Sequence, residues 1–119
     1  MEIRFQIPKS LLMAMNQLYE IEQKLKQHGD PHGLQRNVNK MKDAFDSLDT
    51  LGLIYEDPLG QAFKETRTDV EATISGQGTE NLVIVEVIKP IIRAVHRGGP
   101  GELSKIVQKG IVVVESQKP

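Results

Sequence analysis

Few side chains in this sequence have the types and spacing that chemistry requires. His28 and His32 are four residues apart, the spacing that puts two imidazoles on one face of a helix for a metal pair. Gly29 and Pro31 lie between them, so no continuous helix carries both, and no third ligand is near in sequence. The expected arrangement is a loop pair without metal. Asp69 and Glu71 flank Val70 in an alternating stretch, which places both carboxylates on one strand face. Paired carboxylates do acid–base work only in a pocket that drives their pKa values apart, and the alternation predicts a solvated face. Glu65, Thr66, Arg67 and Asp69 form a dense polar stretch after Phe63. Salt bridges from Arg67 could position a strand there, or the stretch could be a contact surface.

Other chemistries lack their residues. The chain has no Cys, which excludes thiol catalysis, disulfides and Cys-based zinc sites. Gly98-Gly99-Pro100-Gly101 lacks the Lys-Ser/Thr ending of a phosphate loop. There is no nucleophile elbow and no dinucleotide fingerprint. The expectation is a binding protein that is not an enzyme and uses no metal or cofactor.

The bulk properties agree with that expectation. The 119 residues are enough for one domain, and the 4% aromatic content leaves its core to Leu, Ile, Val and Met. A net charge of -1 provides no basic field with which to displace counterions, so no nucleic acid is expected. No apolar run is long enough to span a bilayer. Met1 to Pro8 carries Glu2 and Arg4 and has no apolar core of a signal peptide. The expected location is cytoplasmic, away from membranes.

The elements that must position any site follow from periodicity. Residues 1–8 include a strand-like alternation from Glu2 to Ile7, ended by Pro8. A helical hairpin is expected over 9–52. Its first helix starts near Ser10 as N-cap and carries a row at Leu11, Ala14, Leu18, Ile21 and Leu25. A second row, Leu12, Met15 and Tyr19, lies beside it. Two rows call for two neighbours, and a hairpin supplies one. The second neighbour is either another copy or a wide core within one chain. The dimer reading makes Leu11, Leu12, Met15, Leu18, Tyr19 and Leu25 its interface. Gly29 is placed to cap the first helix, and Asp30-Pro31 to start the second. The second helix carries Leu34, Val38, Met41, Phe45 and Leu48, with Gly52 as its expected end.

From Leu53 the pattern turns to β. Short runs at 53–55, 70–74, 82–88, 91–92, 106–107 and 111–114 are separated by turn chemistry at 57–60 and 76–78 and by Pro90. Arg97 to Gly101 is expected as a flexible loop and residues 116–119 as a frayed tail. Helices followed by strands predict a segregated α+β fold, with a small, mainly antiparallel β module over 53–115.

Several stretches, in order, resemble the GrpE-type nucleotide exchange factors. Leu11-Leu12-Met13-Ala14-Met15-Asn16-Gln17-Leu18 is similar to that family's Leu-Leu-Pro-x-Leu-Asp-Asn-Leu segment. His32-Gly33-Leu34 resembles the start of its second bundle helix. Leu51-Gly52-Leu53 and Pro58-Leu59-Gly60-Gln61-Ala62-Phe63 resemble its Gly-Val and Gly-x-x-Phe segments, and Glu71-Ala72 the Glu-Ala that follows. Val83-Ile84-Val85-Glu86-Val87 resembles its Thr-Val-Val-Glu-Val strand, and residues 106–114 its final strand.

The resemblance implies a homodimer in which two hairpins form a four-helix bundle. It also implies a partner, the ATPase domain of a DnaK-type chaperone, from which binding promotes ADP release by favouring the open cleft. The partner-binding positions it carries over are Gly33, Lys105, Gln108 and Val114. Departures are concentrated in the β module: Gln108-Lys109 replaces an Arg-Pro, and Lys64-Glu65 replaces an Asp-Pro. The family's long N-terminal helix has no counterpart here. A second expectation is therefore a dimeric interaction or regulatory scaffold on the same fold without exchange activity.

Overall fold

The computed structural model describes residues 6–99 and 101–117. The strand-like alternation expected from Glu2 falls mostly outside these residues. Helix α1 spans Lys9–His28 and helix α2 spans Leu34–Phe45. The first starts two residues earlier than an N-cap at Ser10 predicts, with Pro8 at the N-cap and no side-chain cap. Gly29 closes it as expected: its φ of 84° is one that residues with a Cβ rarely adopt, and its N–H donates to the Leu25 carbonyl at 2.9 Å.

Both expected ends of the second helix are corrected. Pro31 is not its first residue; residues 30–33 form a turn, and Gly33 is the N-cap with a left-handed φ of 70°. Asp30 still caps the helix from a distance, its carboxylate accepting from the amides of Leu34 at 2.6 Å and Gln35 at 2.8 Å. Two charge-assisted bonds to otherwise orphaned amides outweigh the continuation of the helix back to Pro31. The helix ends at Phe45, and Gly52 is a buried residue of the first strand.

Six strands follow: β1 Leu51–Glu56, β2 Val70–Ser75, β3 Leu82–Lys89, β4 Ile91–Gly99, β5 Gly101–Gln108 and β6 Gly110–Ser116. They form two three-stranded sheets in the orders β1-β4-β5 and β2-β6-β3. All pairs are antiparallel except β2 with β6. The fold is α+β, with helices first and mainly antiparallel strands after. The loop expected at Arg97 to Gly101 is instead the tip of the β4–β5 hairpin, since Gly99 pairs with Gly101.

Pro90 and Gly110 explain why the strands divide into two sheets. Pro90 has no N–H for a ladder, and the chain crosses there from β3 in one sheet to β4 in the other. Gly110 begins β6 after the return crossing, where a Cβ would lie 3.0 Å from Ile91 and 3.1 Å from Val70. Successive strand side chains face opposite ways, and β4 uses this to serve two cores. Ile91 joins Val70, Leu82, Ile84, Val112 and Val114 in one. Ile92 joins Met15, Leu53 and Ala94 in the other, with Leu11, Leu12 and Phe45 packed against it. On β5, Ile106 and Val107 divide in the same way. The helical hairpin thus packs on one face of the β1-β4-β5 sheet, and the start of β4 and the end of β5 also reach the core of the second sheet.

Among the described residues, no helix is long and apolar enough to cross a membrane.

Candidate functional site

A buried carboxylate connects the two halves of the fold. Glu22 lies on the core-facing side of α1 and is 7% exposed. It accepts hydrogen bonds from the Tyr55 hydroxyl at 2.8 Å and from the Gln35 amide at 2.8 Å, and it pairs with Lys42 at 3.3 Å. These partners come from β1 and α2, so one side chain ties both helices to the β module. Tyr19 packs edge-on against Tyr55 with centroids 5.5 Å apart, and Lys42 sits 5.0 Å from the Tyr55 ring centre. Burial raises the Glu22 pKa, but the bonds from Tyr55 and Gln35 and the charge of Lys42 outweigh it and hold the carboxyl below its ordinary range. Burial also pushes both tyrosines up, Tyr19 with help from Asp57 and Tyr55 with help from Glu22. The network favours an ionised glutamate beside neutral phenols, which suits a structural anchor. Periodicity placed Glu22 nowhere in particular. Its one sequence signal was a charged residue between Leu18 and Leu25 on the apolar side of α1.

A second tie joins α1 to the end of β5. Asn16 and Gln108 exchange amide hydrogen bonds at 3.0 and 2.9 Å, and Gln108 also donates to the Pro90 carbonyl at 3.0 Å.

The four partner-binding positions carried over by resemblance are dispersed among different roles. Gly33 is the half-buried N-cap of α2. Lys105 is exposed on β5, opposite Ala94. Gln108 is half-buried, and its amide is engaged with Asn16 and Pro90. Val114 is fully buried in the core of the second sheet, so its side chain is not at the surface for a partner to touch.

The residues expected at a dimer interface are also largely covered within one chain. Met15, Leu18 and Tyr19 are buried, and Leu11 and Leu12 pack against the core around Ile92. The chain's own β module supplies the second neighbour that the doubled rows of α1 called for. Leu25 is half-buried. Besides Met13, the apolar side chains that remain open on the hairpin are Ile21, Leu34 and Met41, which are 45%, 46% and 47% exposed.

The polar stretch after Phe63 acts as a brace. Arg67 pairs with Asp69 at 2.6 Å and donates to the Gln61 side chain and the Ala62 carbonyl at 2.7 and 3.1 Å. Hydrogen bonding from Arg67 holds the Asp69 carboxyl below its ordinary range, the opposite of an acid kept protonated for catalysis. Arg93 bonds Glu56 and comes within 3.9 Å of Asp69. His28 ends α1 and His32 lies in the exposed turn after it. Among the described residues, no three His, Cys, Asp or Glu side chains gather as a metal site.

A broad open surface lies between α1 and β3. It consists of two adjoining depressions of about 370 and 530 Å³. In the first, Tyr19, Gln23 and Lys24 face Val85 to Ile88. In the second, Lys9 and Met13 face Ile88, Lys89 and Pro90. The helix therefore runs antiparallel to the strand across the gap.

The chain matches no protein-family model, no curated protein and no solved structure.

Proposed function

We propose that this protein is a GrpE-like co-chaperone, a homodimer that binds the ATPase domain of a DnaK-type chaperone and promotes ADP release. The observation that carries the reading is the order of the fold: an antiparallel helical hairpin anchored through Glu22 to a small β module, along the same course as the collinear resemblance. In this reading the dimer forms through the open edge of Ile21, Leu34 and Met41, with Leu25 beside it. The exposed Lys105 and the turn at Gly33 supply the chaperone contacts that remain on the surface. The mechanism requires no bond making: preferential binding to the open nucleotide cleft lowers nucleotide affinity by linkage.

The test is stopped-flow release of a fluorescent nucleotide from the host's DnaK-type chaperone. Acceleration that saturates with this protein is expected, and unchanged release at saturating protein would sink the proposal. The burial of Val114 and the internal engagement of Gln108 favour a second reading, a dimeric interaction scaffold without exchange activity. A pull-down in which the main partner is not a chaperone supports that alternative.

A further inference from the structure

We infer that the groove between α1 and the free edge of β3 receives an extended segment of a partner polypeptide, apolar at alternate residues and acidic at the end that meets Lys9 and Lys89. This rests on the reading of the chain as a binding protein, but not on a chaperone as the partner.

The strand edge specifies an extended occupant. β3 is the outer strand of its sheet, with β6 on one side only. Its other side is covered over the first half alone. Gly60 donates to the Ile84 carbonyl, Ile84 donates to the Gln61 carbonyl, and Phe63 donates to the Leu82 carbonyl. Among the described residues, no such cover reaches Val85 to Lys89. Register shifts between Ile84 and Glu86 and between Val87 and Lys89 interrupt this edge, so its free backbone donors and acceptors suit a short extended segment paired at a few positions. Those five residues span roughly 17 Å, room for a peptide segment of about the same length.

The walls specify the side chains. Met13, Leu59, Val85 and Ile88 are 66%, 52%, 38% and 56% exposed along the groove, an apolar lining that alternate residues of a strand can cover. On the helical wall, the Gln23 amide nitrogen is buried and has no hydrogen-bond partner among the described residues. A small rotation would offer it to a backbone carbonyl of the incoming chain. Leaving such a donor unmet is costly.

Charge sets the direction. Lys9 and Lys89 are exposed at one end of the groove and make no ion pair among the described residues. The first turn of α1 enters the same end with no side-chain cap and no acidic residue, so its dipole adds to the positive field there. Farther along, Glu20 and Glu86 outnumber Lys24 and leave the groove net negative there. An acidic end is thus favoured at Lys9 and Lys89 and nowhere else in the groove.

The probe is a fluorescein-labelled peptide of about ten residues, alternating valine and threonine and ending in glutamates, titrated with the full chain by fluorescence anisotropy. Three companions are the same peptide ending in lysines and two versions N-methylated at alternate amides, one in each register. The acidic peptide is expected to bind, with amide NMR shifts at Val85 to Lys89. Methylation in one register and the lysine ending should each weaken it by about tenfold or more. The K9E/K89E double variant should reverse the preference for the acidic ending. Equal binding of both methylated versions, or an unchanged preference in K9E/K89E, overturns the inference. So does the absence of binding, in which case Glu86 and Lys89 only guard an exposed edge against aggregation. Nucleotide release separates this from the chaperone reading: intact acceleration without peptide binding removes the groove alone. Peptide binding without acceleration removes the chaperone alone.

Discussion

The hydroxyl of Tyr55 donates to the Glu22 carboxylate across 2.8 Å, and through that bond the helical hairpin is fastened to the first strand of the β module. Tyr55→Phe removes it while leaving Gln35 and Lys42 on the carboxylate. A loss of about 1.5–3 kcal/mol in urea unfolding is expected, as for other hydrogen bonds to a charged group. Glu22→Ala should cost more, because it leaves the Tyr55 hydroxyl without its acceptor and Lys42 without its ion pair, and the Gln35 amide keeps only its bond to Asn39. The double variant should cost less than the sum of the two, since both remove one shared bond.

The same network fixes the pH limits of stability. Glu22 is held below its ordinary pKa, so its ionised form is favoured in the folded chain. That contribution is fully present above the unfolded glutamate pKa of about 4.3 and disappears as the pH falls through the lower folded value. Tyr19 and Tyr55 are raised, so their neutral forms are favoured. Their contribution is complete below the unfolded tyrosine pKa of about 10 and declines as the pH climbs past it. Urea midpoints measured across the pH range should fall at both limits, and Glu22→Gln should flatten the acid limb while weakening the alkaline limb only in part, since burial is the main cause that raises both tyrosines. An unchanged acid limb in Glu22→Gln would refute the role assigned to this carboxylate.

The sequence made the element order legible because each element carries its own periodicity. The rows of α1, the single stripe of α2 and the alternation of β2 depend on neighbours a few residues away. What could not be read depends on partners distant in sequence. The doubled row of Leu12, Met15 and Tyr19 was equally consistent with a second copy, and only the folding of β1 and β4 onto α1 shows that the chain covers it itself. Val114 looked like any strand residue, and its burial is set by β2 and β3 on either side of β6. By sequence Gly52 resembles a helix stop, because glycine often ends helices. In the fold its lack of a side chain answers a close approach from Asp46 and Arg97. The groove beside β3 had no sequence signal, since an uncovered edge is defined by what fails to pair with it.

That close approach makes a sharp substitution. A Cβ at residue 52 would lie 2.5 Å from both Arg97 Nη1 and Asp46 Oδ1, and 2.8 Å from the Asp46 carbonyl. Gly52→Ala must displace the Asp46–Arg97 pair, which is 2.6 Å long, and push back the end of α2. A destabilisation of about 1–3 kcal/mol is expected, as for other overpacked sites. Truncating Arg97 in the Gly52→Ala background should relieve only part of it, because the Asp46 backbone stays in place. Thermal melts of the two variants and their combination check this.

Capping of α2 can be tested without touching the core. The Asp30 carboxylate is lowered chiefly by the Gln35 amide and also by Leu34, so it caps best when ionised. Asp30→Ala should reduce helical circular dichroism, and Asp30→Asn should retain more of it, since an amide oxygen still accepts one of the two bonds. Equal spectra for all three proteins would remove the capping role.

The edge of Ile21, Leu34 and Met41 determines whether the chain self-associates. Each side chain is about half exposed, so covering the remainder yields roughly 1 kcal/mol apiece, or about 6 kcal/mol over two protomers. Association costs of several kcal/mol oppose that sum, which predicts a dimer weak enough for one charge to abolish. Met41→Lys should convert it to a monomer in sedimentation equilibrium without loss of helical signal, because Met41 contributes little to the folded core. Thr73→Lys, on an exposed position of β2 away from the hairpin, should leave the dimer intact. A wild-type protein that stays monomeric at roughly 1 mM, where a dimer held by about 4 kcal/mol would show, removes the dimer and with it the bundle on which the co-chaperone reading depends.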